Sequence, residues 1–250
     1  MDITSLIIIV VAGFLLGIIG AIIGSTLLIL VPLLNFLGLP IHVALGTAKV
    51  SVIGRELIPI YHFNKNKLIN YKTVIPFVIA GIITSYLGTN LIISLNENIV
   101  KTIVAVFMII ISLLFLSNPN IGMKEKKIKI GKTTLLLLSV VAGALIGFYQ
   151  GIFGGGANVF IIFAFILLFG NTFLKGVANS KIPNLIFSLV SLIVFIMGGF
   201  IDWVFAIPLL IATSAGSHFG AKLAIKKGNK FIRLLFVLLV IGMAIKLLFF

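Results

Sequence analysis

Hydrophobic residues occur along this chain in long stretches that are separated by short polar connections. Stretches of 18 or more uncharged apolar residues recur, and each is long enough to cross a bilayer as an α-helix. Isolated strands are excluded, because lipid would leave their backbone N–H and C=O groups unpaired. The pattern predicts an all-α polytopic membrane protein with apolar segments at 3–36, 41–62, 73–95, 98–117, 133–169, 176–200, 203–221 and 231–250.

One glycine pattern occurs twice, 130 residues apart. The first copy reads Gly13-x-x-x-Gly17 followed by Gly20, Gly24 and Ser25, and the second reads Gly143-x-x-x-Gly147 followed by Gly151, Gly154, Gly155 and Gly156. Further along, the offset is 132 residues, and the corresponding pairs are Lys49 and Lys181, Pro76 and Pro208, Gly88 and Gly220, and Lys101 and Arg233. We interpret the chain as two tandem transmembrane repeats, 1–117 and 133–250, joined by a polar linker at 118–132. Duplication of this kind is typical of secondary transporters.

The first segment of each repeat is longer than a single span requires. Segments 3–36 and 133–169 each exceed 30 residues, or about 48 Å as one helix at ~1.5 Å per residue, against a hydrocarbon core of about 30 Å. The glycine cluster interrupts each of them near its middle. Each segment is therefore either one tilted, kinked span or a broken, re-entrant hairpin of two half-helices.

The distribution of basic residues favours the hairpin. The three basic connections are 63–72, 118–132 and 222–233. If all eight segments span, 222–233 lies opposite the other two, which contradicts the positive-inside rule. If 133–169 turns back, and 3–36 also does so by symmetry, all three are cytoplasmic. Each repeat then has three transmembrane helices plus one re-entrant segment, and the repeats are inverted; a version in which only 133–169 turns back fits the charges equally well.

Composition removes several classes of function. Hydrophobic residues make up 61% of the chain and charged residues 10%, and the mean hydropathy is +1.33. A water-soluble enzyme of this length cannot bury that much apolar surface. The net charge of +14 is explained by basic cytoplasmic loops rather than by a nucleic-acid partner. Without cysteine, a nucleotide-binding P-loop or a metal-ligand spacing, the sequence predicts no cofactor, no metal and no catalytic site.

The glycine clusters are candidates for a binding site as well as for packing. Glycine lets the backbone turn sharply and approach a ligand closely, and a half-helix that begins after it presents N–H groups and a dipole that favour anions. For Gly13-x-x-x-Gly17 and its copy we favour helix packing. For Gly154, Gly155 and Gly156 we favour a substrate site, because consecutive glycines weaken a helix by ~1 kcal/mol each.

Two lysines lie inside predicted spans at corresponding positions of the two repeats. A lysine deep in the membrane core costs about 2.5–3.5 kcal/mol, so a functional role is the default expectation. The alternative is that each ammonium snorkels to the interface. Two such lysines beside glycine-lined breaks would hold a compact anion by charge and hydrogen bonds, so we assign Lys49 and Lys181 to substrate binding.

Glu56 is the only acidic residue deep in a predicted span. It lies two helical turns from Lys49 on the same face and is a candidate for ion coupling, taking up a proton when substrate is absent. The alternative is a structural pair, either Arg55–Glu56 or Lys49–Glu56. The matching positions of the second repeat are Phe187 and Ser188, so any proton site is asymmetric.

Several polar side chains in the spans could line a cavity or make interhelical hydrogen bonds. As substrate-binding candidates we take Thr47, Asn158, Ser180 and Asn184. Ser51, Asn179 and His218 are further polar residues of the same kind.

These features together resemble the sulfite exporter TauE/SafE family. The resemblance rests on the two-repeat organisation and on three motifs, Gly151-Ile152-Phe153-Gly154-Gly155-Gly156, Leu45-Gly46-Thr47-Ala48 and Ala178-Asn179-Ser180-Lys181. It covers essentially the whole chain and departs at Gly24-Ser25-Thr26, where the family has a fuller glycine run ending in a polar residue. It implies a small membrane protein that moves sulfur-containing anions such as sulfite and organosulfonates.

The sequence thus predicts a secondary active transporter in the cell membrane whose partners are a small anion and the lipid bilayer. A sulfur oxyanion or organosulfonate is the leading substrate class. A passive anion channel is the alternative, and a membrane-embedded enzyme or assembly factor is disfavoured because it would need a cluster of acids, histidines or cysteines. The direction of transport, the coupling ion and the oligomeric state are left open.

Overall fold

Helices make up the regular structure of the described part of the chain. The computed structural model describes residues 3–24, 26–96, 98–99, 102, 124–125, 128 and 130–249, with side chains through residue 235. In chain order the helices are α1 (Ile3–Ile22), α2 (Leu27–Phe36), α3 (Ile41–Lys65), α4 (Tyr71–Ser94), α5 (Lys132–Ile152), α6 (Ala157–Phe169), α7 (Phe173–Met197) and α8 (Trp203–Phe249). Most of the predicted span 98–117 and most of the predicted linker 118–132 lie outside the described residues.

Within this part of the chain, five helices are long and apolar enough to cross a membrane. They are α1, α4, α5, α7 and the Trp203–Leu235 part of α8. Their outer faces carry exposed aliphatic side chains, for example Ile79 on α4 and Leu137 on α5, which suit contact with lipid. Helix α3 is 25 residues long but carries the buried Lys49, Arg55 and Glu56. The prediction of an all-α, multi-pass membrane protein is confirmed.

The predicted interruption of each long first segment is also confirmed. Helix α1 ends before Gly24, whose φ is +81°, and α2 begins at Leu27. In the second copy α5 ends before Gly154, at φ +75°, and Gly156, at φ +80°, precedes α6. Glycine adopts this left-handed conformation without the steric penalty of a Cβ. Helices α2 and α6, with 10 and 13 residues, span roughly 15–20 Å at 1.5 Å per residue, which is too short to cross the core.

The prediction of a basic loop at 222–233 is wrong in its extent. Helix α8 continues through this region and is broken only at Gly228, where φ is 68° and ψ is −162°. Lysine has high helix propensity and Gly228 does not. The cluster of lysines therefore lies largely in helical structure on both sides of Gly228, and this break separates the two predicted segments 203–221 and 231–250.

Each pair of packed helices has an equivalent pair in which the first repeat takes the place of the second and the second takes the place of the first. Helix α1 packs on α8 as α5 packs on α4, α3 packs on α8 as α7 packs on α4, and α2 packs on α3 as α6 packs on α7. Helices α3 and α7 meet each other at the centre. Helices of one repeat are thus interleaved with those of the other, so the two copies share one interior.

Glycine makes these close helix contacts possible. A Cβ on Gly17 would meet the backbone of Thr213, and one on Gly147 would meet the backbone of Gly81, which occupies the position equivalent to Thr213. Both contacts support the packing role that we favour for the Gly-x-x-x-Gly pairs, since backbones approach this closely only where side chains are absent.

Candidate functional site

The two helix breaks contact each other in the protein interior. Gly24 lies directly against the side chain of Asn158, and the Nδ2 of Asn158 donates to the carbonyl of Ile23 at 3.1 Å. On the other side, Gly154 and Gly155 lie against the leucines that begin α2. The glycine-rich interruptions of both repeats therefore form one central region, which we call the break junction (residues 20–24, 26–28 and 150–158).

Both predicted lysines reach this junction. The side chains of Lys49 and Lys181 are 1% and 0% exposed, so the snorkelling alternative is excluded. Lys49 Nζ donates to the Gln150 carbonyl at 2.9 Å, and Lys181 Nζ donates to the Gly20 carbonyl at 2.9 Å. Because Gly20 and Gln150 are also equivalent, this is one contact made twice, and each time it joins one repeat to the other.

The carbonyls that accept from the lysines lie in the last turns of α1 and α5. The last four carbonyls of a helix have no partner within it, and they carry the negative end of the helix dipole. The Gly20 carbonyl also accepts from the Gly24 N–H at 2.9 Å, so Lys181 adds a second donor to it. At both carbonyls the ammonium is favoured by the negative end of the dipole. The lysines thus bind the C-terminal ends of the first half-helices, which the sequence did not predict.

The environment of Lys181 is rich in charge. Its Nζ lies 3.2 Å from Glu56 Oε2, while Glu56 Oε1 lies 3.2 Å from Arg55 Nε and accepts from Asn184 Nδ2 at 2.7 Å. Arg55 is 2% and Glu56 0% exposed. The aliphatic Cγ and Cδ of Arg55 fill the space beside Gly20. The Arg55–Glu56 contact, one of the two pairs considered as the alternative to a coupling role, is present. The Lys49–Glu56 pair is wrong, since the carboxylate binds the lysine of the other repeat.

The environment of Lys49 is almost neutral. At the position that corresponds to Glu56 stands Ser188, whose Oγ accepts from Gln150 Nε2 at 2.7 Å. The Phe195 ring lies 5.9 Å from Lys49 Nζ, near the outer limit of a cation–π contact. Among the described residues no carboxylate lies within ion-pair distance of Lys49. Of the acids that the structure describes, the one at the junction, Glu56, pairs with Lys181.

Unpaired polar atoms collect at this junction. Arg55 Nη1, Gln150 Oε1, Asn158 Oδ1 and Thr26 Oγ1 are buried and have no hydrogen-bond partner among the described residues. Each buried unsatisfied group destabilises a fold by roughly 1–3 kcal/mol, so several at one place need an explanation. A region that binds a polar ligand or water fits this pattern.

Two of the predicted binding residues use their hydroxyls elsewhere. Thr47 Oγ1 accepts from the Asp202 backbone N–H at 2.9 Å, where the chain enters α8. Ser180 Oγ donates to the Val177 carbonyl of its own helix at 2.9 Å. Both hydroxyls are therefore occupied by structural hydrogen bonds.

The remaining candidates lie at the junction or hold its parts in place. Gly154 and Gly156 shape the second break, and the Gly155 carbonyl accepts from the Tyr149 hydroxyl. Asn184 orients Glu56, and Asn158 joins the two breaks. His218, also among the polar candidates, hydrogen-bonds to His62 at 3.1 Å and joins α3 to α8.

Sequence reasoning missed Gln150 as a member of this region. Its backbone carbonyl binds Lys49, its Nε2 binds Ser188 and its Oε1 is unpaired. A signal was present, because Gln150 is an amide in an apolar segment at the position where the first repeat has Gly20. A large amide side chain at a position where the other copy has glycine indicates that the two copies differ in chemistry there.

Comparison with known proteins identifies the family to which this chain belongs. The sequence model described as Sulfite exporter TauE/SafE matches residues 9–247. The chain belongs to the TauE/SafE family. Both lysines and both breaks of this TauE/SafE protein fall inside the matched range.

Curated relatives of this TauE/SafE protein match over most of their length. A probable membrane transporter protein of Haemophilus influenzae is 30% identical over 237 residues, which cover 95% of this chain and 92% of the relative. The probable membrane transporter protein YfcA of Escherichia coli is 28% identical, with 95% and 87% covered. The probable membrane transporter protein YunE of Bacillus subtilis is 25% identical, with 95% and 96% covered. No solved structure matches the chain. The family and these relatives indicate a membrane transporter.

Proposed function

We propose that this protein is a secondary active transporter of a small anion, with sulfur oxyanions and organosulfonates as its substrate class. The observation that carries the proposal is the charge of the break junction. Three buried cations, Lys49, Arg55 and Lys181, stand against one buried carboxylate, Glu56. Buried charge without compensation is unfavourable in a medium of low dielectric constant. An anion bound at the junction would supply the missing negative charge.

The substrate would lie beside Lys49, where compensation is lacking. The start of α6 offers the backbone N–H groups of Gly155, Gly156 and Asn158, whereas the Ala157 N–H donates to the Gly154 carbonyl. The positive end of the helix dipole favours an anion there. The Asn158 side chain lies on the same turn. Oxygens of a sulfite or sulfonate would accept from these donors. The family description, which names sulfite, supports this substrate class.

Glu56 would couple transport to protons. Its carboxylate bridges Lys181, Arg55 and Asn184. Protonation of Glu56 would raise the excess of positive charge at the junction from about two to three, which strengthens attraction for an anion. Proton and anion would then bind with positive coupling, and the coupling is reciprocal.

We further propose that the repeats are inverted in the membrane and rock around the junction. The exchange of helix contacts between the repeats is what a twofold axis between them would produce, and broken helices near the midplane accompany such repeats in transporters. The basic segments 63–72, 118–132 and 222–233 would then share the cytoplasmic face of the cell membrane.

Flux in proteoliposomes tests the proposal. We expect Lys49→Gln and Lys181→Gln to lower uptake of radiolabelled sulfite by roughly tenfold or more, since each removes a buried charge that the anion compensates. Lys226→Gln is the matched control, because Lys226 is exposed on α8. Flux of the Lys49 and Lys181 variants equal to that of the control would remove the lysines from the site.

The same vesicles separate a transporter from a channel. A secondary transporter accumulates labelled anion above its electrochemical equilibrium when a proton gradient is imposed. Accumulation that stops at equilibrium under every gradient would instead identify a passive anion channel.

A further inference from the structure

A second cluster of positive charge surrounds a pocket away from the break junction. This pocket, which we call the basic pocket, has a volume of about 480 Å³ and is lined by the α3–α4 connection, the start of α4 and the start of α7. Three lysines contribute to it, Lys67, Lys72 and Lys175, together with the amide side chains of Asn171 and Asn179. Its volume lies within the range of about 300–1,000 Å³ that is usual for small-molecule sites.

The donors of the basic pocket exceed its acceptors. Neither Lys67 nor Lys72 has an ion-pair partner among the described residues. Asn171 Nδ2 is buried and lacks a hydrogen-bond partner within the same part of the chain. Lys175 is paired with Glu125 of the predicted linker, so a carboxylate already occupies one of the three cationic positions. The pocket is therefore suited to a negatively charged group.

Two helix N-termini add to the positive electrostatic potential of the basic pocket. Helix α4 begins at Tyr71 and α7 at Phe173, and residues of both first turns line the pocket. The positive ends of the two helix dipoles favour an anion placed between them. In addition, Lys67 has a left-handed φ of 55° at the position after the end of α3 where glycine is usual. A lysine at this position brings its charge to the pocket wall.

The inner wall of the basic pocket is formed by the first turns of α7, the helix that carries Lys181. Asn179 is 1% exposed, lines the pocket and accepts from the Asn70 backbone N–H at 2.7 Å. It precedes Lys181 by two residues on α7, or about 3 Å along the helix axis. An anion held in the pocket would thus lie beside the first turns of the helix that carries Lys181, one of the two central lysines.

We propose that the basic pocket is a second anion-binding site that takes an oxyanion group. The group is either a free oxyanion of the sulfate type or the phosphate of an anionic lipid headgroup. Both have the same chemistry, a compact set of oxygens that accept from ammonium and amide donors. The proposal does not depend on substrate binding at the break junction, since it rests on separate residues.

Lysine labelling tests the site residue by residue. The protein is placed in nanodiscs of phosphatidylcholine and acetylated with an amine-reactive ester in sodium sulfate or in sodium chloride of equal ionic strength. Mass spectrometry then gives the labelling rate of each lysine. We expect sulfate to slow labelling at Lys67 and Lys72 by roughly threefold or more, because an occupied site is stabilised and shielded by its ligand. Lys226 and Lys227, exposed on α8, are the controls and should not change.

Lipid composition identifies the source of the oxyanion. Protection of Lys67 and Lys72 in phosphatidylglycerol nanodiscs without sulfate would identify a lipid phosphate as the occupant. Protection that requires sulfate in both lipids would identify a free oxyanion. Equal labelling in sulfate and chloride with no effect of lipid, or equal slowing at all four lysines, would overturn the proposal.

Two variants complete the test. Asn171→Leu removes the unpaired donor and should reduce the protection of Lys67 and Lys72. Lys49→Gln should leave it unchanged even where anion flux is lost, so failure of the basic pocket and failure of the central site are read separately.

Discussion

The regions around Lys49 and Lys181 share the same backbone contact and differ in their charged neighbours. Each lysine donates to an equivalent carbonyl of the other repeat over 2.9 Å. Lys181 is met by Glu56, Arg55 and Asn184, whereas the equivalent positions beside Lys49 are Ser188, Phe187 and Val52. The two lysines thus make matching backbone contacts, while Glu56, the one carboxylate within ion-pair distance of either lysine in the described part of the chain, lies beside Lys181.

The two lysines are therefore expected to differ in their effect on stability and in their availability to a substrate. The Lys181 region is a partly compensated network in which Arg55 and Lys181 share the carboxylate of Glu56, so its members should stabilise one another. The Lys49 region has a cation that binds a helix end and is otherwise uncompensated, so it should reduce stability and be available to a substrate. Variants that exchange or remove these features test the distinction.

The largest expected effect belongs to Glu56→Gln. It leaves Arg55 and Lys181 buried without a counter-charge, and removal of one partner of a buried pair typically destabilises by about 3–5 kcal/mol. The matched variant in the other copy is Ser188→Ala, which removes one neutral hydrogen bond to Gln150 and should lower stability by only about 1–2 kcal/mol. Unfolding by sodium dodecyl sulfate, followed by circular dichroism, measures both. Equal losses would show that the charge at Glu56 has no special role in folding.

The second expected effect compares the two breaks. Gly24 and Gly154 both have left-handed φ values, so alanine at either position should destabilise by roughly 1–2 kcal/mol from backbone strain. At Gly24 the added Cβ also collides with Asn158, whereas at Gly154 its nearest neighbours lie 3.2 Å away. We therefore expect Gly24→Ala to be destabilising by about 2–4 kcal/mol in total, since overpacking adds to the strain.

Thermal unfolding of the two alanine variants in detergent measures this difference. Gly38→Ala is the control, because Gly38 has φ +96° but no atom within 4 Å of its Cβ position. A Gly24→Ala variant as stable as Gly38→Ala would contradict the close approach of the two breaks.

The smallest expected effect has opposite signs at the two lysines. Lys49→Met removes an uncompensated buried charge and should stabilise the fold by about 1 kcal/mol, because apolar replacement of a buried ion is often neutral or favourable. Lys181→Met leaves Glu56 with fewer donors and should destabilise by about 1–2 kcal/mol. Denaturant midpoints of the two variants, each compared with the parent, give the signs. Loss of stability at Lys49 of the same size as at Lys181 would mean that Lys49 has a compensating partner in the fold.

Much of the central region could be predicted from the sequence because its glycine clusters and its lysines each occur twice at a nearly constant offset. The offset of 130 residues paired the glycine clusters, and the predicted breaks at both were confirmed. Charged residues in apolar segments identified Lys49, Lys181 and Glu56, since each needs a partner or a function in the membrane. Sequence reasoning overestimated the length of the connection at 222–233, where the lysines lie in helical structure that is interrupted only at Gly228.

The sequence alone determined that the chain is helical, duplicated, membrane-embedded and interrupted by glycines, because these properties follow from local patterns of hydropathy and backbone freedom. Only the tertiary structure decided which groups meet. It placed Glu56 on Lys181 rather than on Lys49, brought Gln150 to the junction, and used Thr47 to join α3 to the start of α8. Those contacts join residues more than 100 positions apart, and they depend on how helices of one repeat pack between those of the other, which no local pattern records.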